Sequence, residues 1–80
     1  MTHVAKDLRD TLNGTVDEIQ WLADEIRVKL HLANMDAKDT WRKLEPQIEH
    51  ARQHAQEATD ASSQAIQDIL DAFKKFQASL

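Results

Sequence analysis

Eighty residues with a net charge of −4, 41% apolar residues, one Gly, one Pro and no Cys narrow the field before any element is placed. That length holds one domain at most. Without cysteine there is no disulfide framework, thiolate zinc site or thiol nucleophile, a single glycine excludes a Gly-rich phosphate loop, and the acidic balance disfavours broad nucleic-acid binding.

The remaining composition is that of long helices. Charged residues make up 30% of the chain, aromatic residues only 5%, and both charge signs are interspersed. No apolar run approaches the length of a membrane span. The first ten residues, MTHVAKDLRD, carry acids and lack an apolar core, so they do not form a signal peptide and a cytoplasmic protein is expected.

In chain order, Val4, Leu8 and Leu12 fall at i, i+4 and i+8, which predicts a short amphipathic helix over 4–12. Asn13-Gly14 interrupts it as a helix end or hinge does. Thr15 with Glu18 three residues later forms a capping box, opening a second helix over 15–44. Its apolar positions are Ile19, Leu22, Ile26, Leu30, Ala33, Ala37, Trp41 and Leu44, in steps of three or four. Glu25–Lys29 and Asp39–Lys43 are i, i+4 pairs in the favourable orientation.

Pro46 is tolerated at the first position of a helix and costs about 3 kcal/mol inside one. A helix–helix turn is therefore expected near Leu44–Pro46, with a last helix over 46–79. Its stripe is Ile48, Ala51, Ala55, Ala58, Ser62, Ile66, Ile69, Phe73, Phe76 and Leu80. Such a turn sets Trp41 against Ala51, Ala37 against Ala55, Ile26 against Ile66 and Ile19 against Phe73, so that large and small side chains complement each other. The stripe also keeps its phase across Pro46. A single kinked helix with a break in residues 59–64, capped by Asp60 or Ser62, is the alternative.

Residues 25–32, EIRVKLHL, alternate polar and apolar, the pattern of a half-buried strand. A strand followed by two helices is the order of ribbon–helix–helix DNA-binding proteins, which here would aim Arg27, Lys29 and His31 at the major groove. On a helical wheel the same alternation resolves into two stripes. Ile26 and Leu30 belong to the one already described, and Val28 and Leu32 fall nearly opposite with Trp21 and Met35. The helical continuity from residue 15 and the acidic net charge favour this second reading.

A helix that is apolar on two faces must be covered on two sides. The expected fold is therefore all-α: a long antiparallel helical hairpin with a short N-terminal helix, assembling into a homodimeric four-helix bundle or a higher homo-oligomer, with an unidentified protein partner as the other possibility. Trp21, Val28, Leu32 and Met35 are its interface.

Candidate chemistry is sparse. His50 and His54 lie at i, i+4 with Glu57 one turn on, a spacing that can chelate a divalent metal in a metal-binding bundle. No Cys or H-E-x-x-H motif accompanies them, and the competing reading is a solvated histidine face, so no metal site is expected. Asp36, Lys38 and Asp39 precede Trp41 as a charged cluster, which on so charged a helix reads as local ion pairs rather than acid–base machinery. No enzymatic activity, no cofactor, no nucleic acid and no membrane are expected, the last because the polar faces are mixed and net acidic.

A short acidic Cys-free hairpin with a Trp beside its turn resembles the Trp-x-Gly family of small secreted bacterial proteins. That resemblance covers the layout and Trp41 and implies a four-helix dimer. The motif reads Trp41-Arg42-Lys43 here, without its glycine.

Overall fold

Four helical segments make up the computed structural model, which describes the backbone of residues 3–80 and the side chains from Asp7 onward: α1 (His3–Leu30), α2 (Met35–Leu44), α3 (Gln47–Glu57) and α4 (Asp60–Ser79). The side chain of Val4 lies outside the described residues. Among the described residues there is no strand, and residues 25–30 lie inside α1. The strand expected by the ribbon–helix–helix reading is not there: the alternation of 25–30 is two faces of one helix, and His31 and Leu32 lie in the turn that ends it.

α1 runs through Asn13-Gly14 without a break, which corrects the expected hinge and the separate helix over 4–12. Leu12, Val16 and Ile19 stay on one buried face across it. That packing outweighs the 0.5–1 kcal/mol or so that an internal glycine costs a helix. Thr15 is not a cap. Its hydroxyl donates back to Thr11 O at 3.2 Å, and Glu18 instead approaches Lys74 Nζ of α4 at 3.9 Å.

The reversal lies at residues 31–34, not at Pro46. His31, Leu32 and Ala33 donate to the carbonyls three residues back, a 3₁₀ tightening that ends α1. Asn34 then adopts an extended backbone (φ −77°, ψ 175°), and its side-chain oxygen accepts from Ala37 N at 2.9 Å, capping α2. The helix expected over 15–44 is therefore two elements.

Pro46 kinks rather than turns. Glu45 and Pro46 both keep right-handed helical dihedrals, and Ile48 N and Glu49 N reach Glu45 O and Pro46 O. Pro46 has no N–H to donate, and the ladder is carried past it by these two bonds to carbonyls three residues back. α2 and α3 thus form one bent rod, the alternative the unbroken stripe had left open. Trp41 and Ala51 lie on the same rod and do not face each other.

The second reversal is a two-residue turn. Ala58 ends α3 in the left-handed region (φ 52°, ψ 52°), and Thr59 caps α4 by accepting from Ser62 N at 3.0 Å. The break falls where the alternative placed it, but Thr59, rather than Asp60 or Ser62, is the cap, and the helix expected over 46–79 is two.

Cross-element pairs fix the topology. Along α1, Arg9, Gln20 and Arg27 meet Gln56, Arg52 and Glu45, in descending order, so the bent rod runs antiparallel to α1. Glu18 and Glu25 meet Lys74 and Gln77, in ascending order, so α4 runs parallel to α1. The result is an elongated up-down-up bundle of three rods, 50 × 17 × 16 Å. Its core takes Leu12, Val16, Ile19, Leu22, Ile26 and Leu30 from α1, Trp41, Ile48, Ala51 and Ala55 from the bent rod, and Ile66, Leu70 and Phe73 from α4. Each chain therefore closes a core of its own, and the two-rod hairpin that needs a second copy to complete a four-helix bundle is corrected to three rods.

Candidate interaction surface

The outer face of α1, the turn after it and the start of α2 carry four of the five large apolar side chains that are exposed among the described residues, the fifth being Leu80. Trp21 is 59% exposed, Val28 69%, Leu32 96% and Met35 65%. Trp21 and Val28 stand seven residues apart, two turns along one line of α1 and opposite its core line of Leu12, Ile19 and Ile26. Leu32 continues from that end on the 3₁₀ turn, and Met35 opens α2. Three rods close the core, and among the described residues nothing covers these four side chains. A leucine left almost fully in water costs the 1.5–3 kcal/mol or so that its burial recovers, and contiguous exposed apolar groups mark contact surfaces.

Trp41 is placed in the opposite way. It is buried, with Phe73 edge-on at 5.6 Å and Phe76 stacked at 6.2 Å between ring centroids. Arg27 Cζ lies over the ring, 5.6 Å from the centroid. The same guanidinium donates to Glu45 Oε2 from Nε (3.2 Å) and Nη2 (2.9 Å), and to Asp24 Oδ1 from Nη1 (2.9 Å). Arg27 therefore ties the end of α1 to the kink of the bent rod. The position beside a hairpin turn that underlay the resemblance to the Trp-x-Gly family does not exist here, because Trp41 lies six residues into α2 and anchors the core.

Next to this anchor a cleft of about 310 Å³ opens between the end of α1 and α2. Arg27, His31, Lys38 and Arg42 line it, with Leu30 and Trp41 as its apolar floor. Sequence spacing carries no sign of the cleft, because its walls come from two antiparallel elements joined by a reversal at Asn34 that the continuous stripe conceals. In the sequence Lys38 stands out only as part of a charged cluster. In that cluster Asp39 approaches Arg42 Nη1 at 3.7 Å. Neither expected i, i+4 pair, Glu25–Lys29 or Asp39–Lys43, is among the ion pairs of the described residues.

The histidines diverge. His50 Nδ1 is 3.3 Å from Gln47 Oε1 and His54 Nδ1 is 3.1 Å from Glu57 Oε1, so one ring is engaged toward the start of α3 and the other toward its end. Among the described residues no three His, Cys, Asp or Glu side chains gather in a metal-holding group, and no helix is long and apolar enough to cross a membrane. Comparisons with protein-family models, with curated proteins and with solved structures give no match.

Proposed function

We propose that this chain is a non-enzymatic helical assembly module that self-associates through the outer face of α1. The observation that carries the reading is the joint exposure of Trp21, Val28, Leu32 and Met35 on a molecule whose own core is closed. A Trp, two aliphatic side chains and a Met have the composition of an interface core. A twofold arrangement places the same face on both copies and buries each stripe against the other.

The three-rod core makes the test clean. The four side chains contribute little to the isolated fold, so charge introduced there acts on association. Sedimentation equilibrium of the wild type and of a Val28→Glu, Leu32→Glu variant is the measurement. Dimers at micromolar concentration are expected for the wild type, and monomers with unchanged circular dichroism for the variant. A wild type that stays monomeric up to millimolar concentration contradicts the reading.

A further inference from the structure

We propose that the cleft between the end of α1 and α2 is a binding site for an organic phosphate, a ligand with an anionic head and a flat apolar body. This goes beyond the assembly reading and does not depend on it, since the cleft is lined by side chains other than the exposed stripe.

The first ground is charge placement. The chain has 14 acids and 10 Lys and Arg, yet residues 27–43 hold five of those cations and only two acids, Asp36 and Asp39. Four cationic or imidazole side chains line the cleft and no carboxylate does. Arg27 is already satisfied by Glu45 and Asp24, so its role is to cover Trp41 rather than to bind. The available donors are Lys38, which has no ion-pair partner among the described residues, Arg42, whose only acid is 3.7 Å away, and the His31 ring.

The second ground is cost. Lys38 and Arg42 stand at i, i+4 on one face of a ten-residue helix. Like charges at that spacing oppose the helix by a few tenths of a kcal/mol, and a bound anion reverses the sign of the interaction. An ammonium and a guanidinium together suit a phosphate: the guanidinium engages two oxygens with its planar fork, the ammonium acts as a point charge on the third, and the imidazole supplies an N–H in either tautomer.

The third ground is shape. The accessible margins of Leu30 and Trp41, both largely buried, form with the aliphatic stems of the lining cations an apolar floor beneath these charged ends, and a volume of about 310 Å³ is at the small end of ligand sites. Inorganic phosphate leaves that floor uncovered; an aryl or alkyl ester fills it.

The test is titration of the wild type with phenyl phosphate and with inorganic phosphate at about 0.15 M NaCl, where surface charge is screened over about 8 Å. It is read by ¹⁵N chemical-shift mapping and calorimetry. Saturable 1:1 binding is expected, with shifts confined to residues 27–42, an affinity for phenyl phosphate about tenfold or more above that for inorganic phosphate, and a loss of about tenfold or more in Lys38→Gln, Arg42→Gln. Shifts spread equally over Arg9, Arg52 and Lys74, equal affinities for the two probes, or wild-type affinity in the variant each overturn the assignment. The mapping uses wild-type protein and stands whether or not the variant folds. Vesicles containing phosphatidic acid distinguish the source: co-sedimentation competed by phenyl phosphate assigns a lipid headgroup, and its absence a soluble ester.

Discussion

Trp41 lies against Phe73 and Phe76 beneath Arg27, whereas Trp21 stands 59% exposed on the far side of α1. The two residues should therefore respond oppositely to truncation. Trp41→Ala removes an aromatic that contacts α4 and receives Arg27 of α1, and core Trp→Ala changes cost about 3–5 kcal/mol. In an 80-residue domain that is most or all of the available stability. Trp21→Ala, in dilute protein, is expected to change the unfolding free energy by less than about 0.5 kcal/mol. Thermal unfolding followed by circular dichroism checks both, and a Trp41→Ala protein that melts with the wild type removes Trp41 as the anchor. The contrast was legible in the sequence: a helical wheel needs only periodicity, and it placed Trp41 on the core stripe and Trp21 on the opposite one.

At the scale of elements, the sole glycine and, among the described residues, the sole left-handed one are in different places. Gly14 sits inside α1, and a Cβ built there meets nothing within 4 Å. Ala58 ends α3 at φ 52°, where glycine is free of the strain an alanine bears. Exchanging them in a Gly14→Ala, Ala58→Gly variant relieves both costs. Against this stands the methyl group of half-buried Ala58, worth about 0.8 kcal/mol at most. A net gain of about 1 kcal/mol is expected, read as a higher urea midpoint at unchanged slope. A lower midpoint means that one of these positions does more than its local geometry implies. The same two sites show why element boundaries were harder to read than element type. Gly14 carries a strong breaker signal that core packing overrode. Asn34 and Thr59 are ordinary cap residues, hidden because three-four spacing continues across a break when both flanking helices face one core. Pro46 suits a helix start and a kink equally well, and only the unbroken phase of the stripe distinguishes them.

The molecule as a whole is a rod with a satisfied interior and an unsatisfied side. That separation gives self-association a thermodynamic signature independent of any mutation. If copies bind one another only when folded, mass action adds the binding free energy to stability, and the midpoint of thermal unfolding rises with protein concentration. For a domain of this size each kcal/mol moves the midpoint by about 4–8 °C, so a hundredfold concentration series beginning below the dissociation constant should shift it by several degrees. The Val28→Glu, Leu32→Glu variant should show a midpoint that is flat across the series and equal to that of the wild type at its most dilute, because neither side chain is part of the closed core. A wild-type midpoint that does not move argues that the exposed face serves something other than a second copy. A variant midpoint well below the dilute wild type instead shows that Val28 or Leu32 supports the end of α1, and that the face belongs to the fold as well as to its partner.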